Sequence, residues 1–216
     1  MPRPERLVLV AGTGTEVGKT WVAARLAEAL RARGTRVAAR KPAQSFAPDE
    51  GPTDAEVLAA ATGEAVDTVC PRHRWYQVPM APPMAADALG RPPLRVRELA
   101  AETAFPEGVE VGIVETVGGV RSPLAHDGDT VDLLALLKPD VSVLVADAGL
   151  GTINAVLLSV AALAPAPVRV ILNRFRADDS LHVANRTWLA ERFGLDVCVD
   201  VEALAERVAP ARRGLG

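Results

Sequence analysis

The sequence has few of the residues that build disulfide frameworks and metal sites. Its 216 residues include only two cysteines, Cys70 and Cys198, and three histidines. Two cysteines so far apart form neither a disulfide framework nor a metal-binding pair, and the histidines are scattered. We therefore expect buried or incidental thiols in a reducing compartment, and no zinc-type centre.

Long apolar runs and an excess of basic residues are missing as well. No stretch approaches the roughly 18 apolar residues of a membrane helix, and residues 7–11 are too short for a signal-peptide core of about 7 residues. The chain has 24 Lys and Arg against 27 Asp and Glu, which gives a net charge of −3. A nucleic-acid-binding protein normally carries a basic face. These absences predict a cytoplasmic protein with neither a membrane nor a nucleic acid as partner.

Lysine is scarce in a chain that uses arginine for most of its positive charge. Only Lys19, Lys41 and Lys138 are lysines among the 24 basic residues. Lysine carries a compact point charge, whereas arginine carries a planar, delocalised one. Each lysine that remains in this arginine-rich chain is therefore a candidate functional residue. The rest of the composition, 49% hydrophobic and 24% charged, is that of a globular chain. Its length fits one domain over residues 1–216, with a frayed tail at 209–216.

Short apolar, β-branched runs alternate with longer helical patterns along the chain. Continuous apolar runs are typical of parallel strands buried on both faces. The alternation predicts an α/β fold, with a mostly parallel sheet flanked by helices. The predicted strands are residues 7–10, 37–40, 111–114, 141–145, 168–172 and 197–201. The predicted helices are residues 20–33, 53–61, 131–137, 153–163 and 181–193, and the proline-rich segment 46–93 is less regular.

A glycine-rich loop follows the first predicted strand. Residues 12–20 read Gly-Thr-Gly-Thr-Glu-Val-Gly-Lys-Thr and lead into a helix. Glycines let successive backbone N–H groups point at phosphate oxygens, and the helix adds its positive dipole end. Lys19 would reach the β- and γ-phosphates, and the Thr20 hydroxyl would ligate Mg²⁺. The loop is one residue longer than the common pattern, and a tight turn with an incidental lysine is the alternative interpretation.

Two polar residues follow the second predicted strand. Lys41, with Pro42 behind it, comes directly after that strand, at the edge where ligands of open α/β sheets bind. There it could stabilise negative charge that develops on a reacting group; otherwise it is a surface cation. Asp54 lies at the start of the next helix, where it is either a Mg²⁺ ligand or a helix-capping residue.

Three further strand ends carry polar residues. Glu115 ends an apolar strand, is followed by Gly118-Gly119, and is well placed for Mg²⁺. Asp147 precedes a second glycine-rich turn, whose N–H groups either hold an anion such as a carboxylate or form an ordinary tight turn. Asn173 offers a paired donor and acceptor for a nucleotide base, or is simply a turn residue.

Taken together, these motifs resemble dethiobiotin synthetases, and the similarity spans roughly residues 7–175 in the right order. The glycine-rich loop of residues 12–20, the phosphate loop, resembles the expanded loop of that family. Asn173 matches an adenine-contacting asparagine of many members. The other matches are Lys41-Pro42, Asp54, Glu115 with Gly118-Gly119, and Leu150-Gly151-Thr152-Ile153-Asn154.

The resemblance implies a P-loop NTPase-like fold and a homodimeric ligase of biotin biosynthesis that uses ATP and Mg²⁺. Such an enzyme converts 7,8-diaminopelargonate and CO₂ (or bicarbonate) into dethiobiotin through a carbamate and a carbamic-phosphoric anhydride. The catalytic residues implied are Lys41, Lys19, Thr15 and Glu16, and the Mg²⁺ ligands are Thr20, Asp54 and Glu115. The ATP site implied is Gly14, Thr15, Glu16, Val17, Gly18, Lys19, Thr20 and Asn173. The substrate site implied is Lys41, Ser45, Gly118, Gly151, Thr152 and Asn154, with the last three contributed across the dimer interface.

The sequence departs from the family's usual pattern in three places. Gly14 stands where many members have Asp or Asn, and Thr116-Val117 replaces the commoner Gly-Ala. The last predicted strand lacks the proline that many members place near the base. These departures leave the base preference and the amine substrate open.

Other functions compete with this interpretation. A regulatory or partitioning ATPase of the same fold usually has an extra lysine early in the loop, where this chain has Thr13 and Gly14. An amidotransferase-type ligase needs a glutaminase domain, for which the chain has no room. A related ligase acting on a different amine and a nucleotide-binding module without catalysis remain alternatives.

Overall fold

A computed structural model describes residues 3–49 and 51–210 of the chain. Its strands are β1 (Arg6–Gly12), β2 (Val37–Arg40), β3 (Gln44–Ser45), β4 (Trp75–Tyr76), β5 (Val111–Glu115), β6 (Pro123–Ala125), β7 (Gly128–Asp129), β8 (Val141–Asp147), β9 (Val168–Asn173) and β10 (Asp196–Cys198). Its α-helices are α1 (Lys19–Ala32), α2 (Asp54–Thr62), α3 (Val66–Val69), α4 (Pro82–Ala88), α5 (Val96–Glu102), α6 (Thr130–Leu137), α7 (Thr152–Leu163), α8 (Ser180–Thr187) and α9 (Val201–Val208).

Six of these strands form one sheet in the order β10-β9-β8-β1-β5-β2, and every neighbouring pair is parallel. The strands are apolar along both faces, because alternate residues pack against helices on opposite sides. Val8 and Val10 pack in the core formed with α1, α2 and α9, whereas Leu144 and Leu172 pack in the core formed with α7. The predicted α/β class and parallel sheet are therefore confirmed.

The structure departs from the predicted elements in the middle of the chain and at its C-terminal end. The predicted strand 197–201 is wrong beyond Cys198, because the Asp200 side chain accepts a hydrogen bond from Ala203 N and begins α9. The predicted helix 181–193 divides into α8 and a π-helical turn, Trp188–Arg192. Helices α3, α4, α5 and α9 and the short strands β3, β4, β6 and β7 were not predicted. Of the tail expected to fray, residues 211–216 lie outside the described residues.

Parallel strands bring their carboxyl ends to one edge of the sheet, where α/β proteins bind ligands. The phosphate loop follows β1, which lies between β5 and β8 near the middle of the sheet. Lys41, Glu115 and Asn173 stand at the ends of β2, β5 and β9. The topology thus gathers the predicted strand-end residues around the loop. Within residues 3–49 and 51–210, no helix has the length and apolar character to cross a bilayer.

A buried ion pair between Arg40 and Glu64 lies at the end of the edge strand β2, just before Lys41. The Glu64 carboxylate accepts hydrogen bonds from Ala39 N at 2.8 Å and from Arg40 Nη1 at 2.7 Å. The two charged side chains are only 5% and 16% exposed. Lys41 N then donates to Val69 O at 2.8 Å, so the segment after β2 is fixed as well.

We predict that Glu64→Ala lowers the free energy of unfolding by about 3–5 kcal/mol, because it leaves the Arg40 charge buried and unpaired. Urea denaturation at pH 7 measures the change. Asp67→Ala is the control, since its partner Arg72 and Asp67 are 61% and 62% exposed and such pairs contribute about 1 kcal/mol or less. Similar losses in the two variants would contradict the prediction.

Candidate active site

Two residues at the end of β9, the last strand residue Asn173 and the next residue Arg174, hold the phosphate loop in its conformation. Asn173 Nδ2 donates to Val17 O at 2.9 Å, and Arg174 Nη2 donates to Glu16 O at 2.9 Å. Gly18 has a φ of 92°, and a Cβ there would lie 2.1 Å from Asn173 Nδ2. Glu16 and Arg174 also have positive φ values of 60° and 57°. Only glycine fits at position 18, and the loop's unusual backbone is stabilised from the neighbouring strand.

The Lys19 side chain is buried against the phosphate loop, which precedes it in the sequence. Its Nζ donates to Gly14 O at 2.8 Å, and the side chain is 7% exposed. Burial, together with the positive charge of Lys41, lowers the pKa of Lys19 to about 8. The ammonium group therefore lies where loop-bound phosphate oxygens would restore its preference for the charged form.

Three charged side chains meet in a cluster beside the loop, where Lys41 and Glu115 are buried and the Asp54 side chain is 40% exposed. Lys41 Nζ lies 2.6 Å from Asp54 Oδ2 and 2.7 Å from Glu115 Oε1. Burial alone would lower the pKa of Lys41, but the two carboxylates outweigh it and raise that pKa. Burial would likewise raise the pKa of Asp54, yet the charge of Lys41 lowers it. The pKa of Glu115 is raised, chiefly by burial.

Thr20 joins the two carboxylates of this cluster. Its Oγ1 lies 2.7 Å from Asp54 Oδ1 and 2.8 Å from Glu115 Oε1. A hydroxyl has one hydrogen to donate, so it satisfies only one of these oxygens as donor. Glu115 Oε2 is also buried without a hydrogen-bond partner among the described residues. Hydroxyl and carboxylate oxygens are the ligands that Mg²⁺ prefers, and this donor set fits such an ion.

A cleft of about 850 Å³ opens over the loop and the cluster. Its walls come from the phosphate loop, the segments after β2 and β5, and residues 79–82. Ten of the predicted site residues line it, namely Thr15, Glu16, Gly18, Lys19, Thr20, Lys41, Ser45, Asp54, Glu115 and Gly118. Gly14 and Val17 take part through the carbonyl oxygens described above. Among the described residues that line the cleft there is no cysteine or histidine.

The second glycine-rich turn, which follows Asp147, lies outside the cleft. None of residues 151–154 is among the described residues that line the cleft. Thr152 is buried, and its hydroxyl donates to Asp147 O at 2.6 Å. Asn154 is exposed, and the neighbouring Leu150 is 92% exposed. The structure therefore does not bring the predicted substrate residues Gly151, Thr152 and Asn154 to this chain's own cleft.

A second cavity of about 580 Å³ adjoins the cleft. Gly18 and Arg174 line both spaces, so the two meet at the phosphate loop. Asn173 lies in this second cavity together with Trp21, Phe175 and Asp200. Asn173 Nδ2 donates one hydrogen to Val17 O, which leaves its second N–H to donate and its amide oxygen to accept from a ligand.

Sequence reasoning missed Gln44 and Arg174. Gln44 Oε1 accepts from Ala55 N at 2.9 Å, which secures the start of the helix that carries Asp54, while its buried Nε2 has no partner among the described residues. Gln44 and Arg174 are sequence neighbours of the predicted site residues Ser45 and Asn173. That proximity in the sequence was the only signal that could have pointed to them. Thr116, by contrast, was noted as a departure, and its hydroxyl donates to Val10 O at 3.3 Å.

Solved structures of similar fold share little sequence identity with this chain. The signal recognition particle receptor FtsY of Elizabethkingia anophelis superposes with a TM-score of 0.56 and 15% identity, covering 94% of this chain and 62% of the receptor chain. The chain thus spans about three fifths of that receptor, and the likeness concerns the fold alone. A family model described as an AAA domain matches residues 6–211.

Sequence relatives narrow this to one enzyme family. The ATP-dependent dethiobiotin synthetase of Anaeromyxobacter dehalogenans is 40% identical over 179 residues, which cover 81% of this chain and 79% of that protein. The ATP-dependent dethiobiotin synthetase of Rhodococcus jostii is 34% identical over 213 residues, covering 96% and 91%. The predicted resemblance is therefore confirmed, and the chain belongs to the ATP-dependent dethiobiotin synthetase family.

Proposed function

We propose that this chain is a ligase that converts 7,8-diaminopelargonate, CO₂ and ATP into dethiobiotin, ADP and phosphate. The observation that carries the proposal is the single cleft in which the phosphate loop, the buried Lys41 and two carboxylates meet. The family relatives support the same reaction, since they carry that name.

The chemistry needs charge neutralisation rather than a covalent nucleophile. One amine of the substrate takes up CO₂ as a carbamate, the γ-phosphoryl group of ATP moves to a carbamate oxygen, and the second amine then closes the ring and expels phosphate. Phosphoryl transfer depends on positioning and on cations around the transferred group. The lysines and oxygen ligands of the cleft match this requirement.

Each charged group of the cluster has a distinct role in this proposal. Lys19 holds the β- and γ-phosphates at the loop, and Lys41 stabilises negative charge on the carbamate and the transferring phosphoryl group. Thr20, Asp54 and Glu115 hold Mg²⁺, which when bound neutralises charge on the phosphate oxygens. A cation there also supplies a partner for Glu115 Oε2. Thr15 and Glu16, at the tip of the loop, lie beside the reacting amine.

The substrate lies between the loop and the walls of the cleft. Ser45 and Gly118 line it close to Lys41 and Glu115, and Ser45 Oγ donates to Met80 O. This contact connects the segment after β2 to the apolar wall of residues 79–82. An alkyl chain between two polar ends suits such a wall, and Val117 adds a further apolar side chain to the lining of the cleft.

A homodimer would complete the substrate site. Residues 151–154 lie outside this chain's cleft, and they carry the N–H groups of a helix N-terminus, which suit a carboxylate. Leu150 and Leu158 in this region are 92% and 65% exposed. A second copy would cover these side chains and present its turn to the substrate carboxylate, in keeping with the roles expected of Gly151, Thr152 and Asn154.

We predict that the purified protein forms dethiobiotin with an equal amount of ADP when it is given 7,8-diaminopelargonate, bicarbonate, Mg²⁺ and ATP, as detected by mass spectrometry. Lys41→Gln should lower turnover by about 100-fold or more, because it removes a preorganised charge. ADP affinity should change much less, since Lys19 and the loop remain.

The control for this experiment is Lys138→Gln, because Lys138 is an exposed residue at the end of α6. That variant should keep wild-type turnover. Full activity of Lys41→Gln would show that Lys41 has no part in the chemistry. Nucleotide binding without dethiobiotin would instead point to a different amine substrate.

We predict that polyphosphate binding weakens as the pH rises above about 8, the pKa of Lys19 in the nucleotide-free protein. Bound phosphate favours the charged lysine, so binding above this pH takes up a proton, and affinity should fall by about tenfold per pH unit. Titration calorimetry with tripolyphosphate at pH 7 to 9.5, without Mg²⁺, measures the slope. Lys19→Arg should bind with little pH dependence, and a wild-type affinity that stays constant to pH 9.5 would contradict the prediction.

We predict that the wild-type protein has the mass of a dimer in light scattering and that Leu158→Glu gives a monomer with little dethiobiotin synthesis. Burying a carboxylate without a partner at a subunit interface is unfavourable. Leu136→Glu, on the exposed side of α6, is the matched control and should stay dimeric. A monomeric wild-type protein with full activity would contradict the proposed dimer.

A further inference from the structure

Trp21 is a large aromatic side chain that has no part in the cleft or in the charged cluster. It is the third residue of α1, directly after the phosphate loop, and it is 54% exposed. Single exposed hydrophobic residues are common on protein surfaces. Trp21 differs because it lines a concave cavity of about 580 Å³ instead of a convex surface.

The position of this cavity relates Trp21 to the phosphate loop. Gly18 and Arg174 line both this cavity and the cleft. Side chains on a helix lean toward its N-terminus, and the N-terminus of α1 is the end at the loop. For a nucleotide with its phosphates in the loop, the cavity that Trp21 lines is thus a space next to Gly18 into which the nucleoside would extend.

The other residues of the cavity leave the indole face available to a ligand. Arg25, four residues further along α1, also lines the cavity, but its guanidinium group pairs with Glu28 at 2.6 Å and with Glu202 at 3.8 Å. The cation–π contacts among the described residues involve other rings, namely those of Phe105, Trp75, Tyr76 and Trp188. Phe175 adds a second aromatic side chain to the lining.

We infer that Trp21 is the stacking platform for the nucleobase of the bound nucleotide. This inference rests on the nucleotide-binding part of the proposed function. A flat indole gives contact area with little loss of side-chain entropy, and every base has a π face to stack on it. Stacking grows with ring area, so it favours purine over pyrimidine nucleotides without excluding the latter.

Binding measurements on three ligands test the inference without any need for turnover. Titration calorimetry with Mg²⁺ compares ADP, CDP and tripolyphosphate, which has no base. Trp21→Ala should raise the dissociation constant of ADP by about 5- to 150-fold, the range found for removing a base-stacking aromatic. The dissociation constant of tripolyphosphate should change by less than about twofold, and the preference for ADP over CDP should narrow. Trp21→Phe should lie between the wild type and Trp21→Ala.

Trp188 provides a matched control, since it is 50% exposed and belongs to the π-helical turn after α8. Trp188→Ala should leave all three affinities unchanged. ADP should quench tryptophan fluorescence in the wild type and in Trp188→Phe, but not in Trp21→Phe.

Several results would overturn the inference. They are an unchanged ADP affinity in Trp21→Ala, an equal loss of ADP and tripolyphosphate affinity, and a wild type that binds ADP no more tightly than tripolyphosphate. A protein that shows the expected contrast yet makes no dethiobiotin would retain the stacking role and lose only the proposed function.

Discussion

The buried contact between Lys41, Asp54 and Glu115 determines the arrangement of the whole site. With Lys19, the group contains two cations and two carboxylates, so its formal charge is zero. This neutrality is what permits Lys19, Lys41 and Glu115 to be buried beside the partly exposed Asp54, because an unpaired charge in the same place would be very unfavourable. The members come from the ends of β2 and β5 and the starts of α1 and α2. The contact therefore fixes these four elements relative to one another.

The parallel sheet makes this contact possible, and the residues at the end of β9 support the phosphate loop beside it. Adjacent parallel strands place Lys41 and Glu115 at one edge of the sheet, and Gln44 holds the start of α2 so that Asp54 reaches the same point. On the other side of the loop, Asn173 and Arg174 stabilise a backbone conformation that would otherwise be strained. The phosphate loop is thus supported from both neighbouring halves of the sheet.

Much of this could be predicted from the sequence, because continuous apolar runs and a glycine-rich loop are local signals. The end of each central strand follows from such a run, and the predicted residues Lys41, Asp54 and Glu115 do meet. The contacts made by Gln44 and Arg174 had no such signal, since they depend on residues that meet only in the folded chain. The start of α9 was misjudged because Val199 and Val201 continue an apolar run, and the capping hydrogen bond of Asp200 outweighs that pattern. The partnership between Lys41 and Glu115, 74 residues apart, likewise becomes visible only in three dimensions.

The burial of lysine also bears on side reactions. The carbamic-phosphoric anhydride of the proposed reaction would acylate unprotonated amines, including those of the protein itself. Of the three lysines, Lys19 and Lys41 are 7% and 1% exposed, which leaves Lys138 as the one lysine with an exposed ε-amine. Lys41 is held protonated by its two carboxylates, and Lys19 stays protonated while phosphate groups lie against it. A surface whose positive charge is carried by arginine offers an acylating intermediate few places to react, so such a protein is protected from modification by its own chemistry.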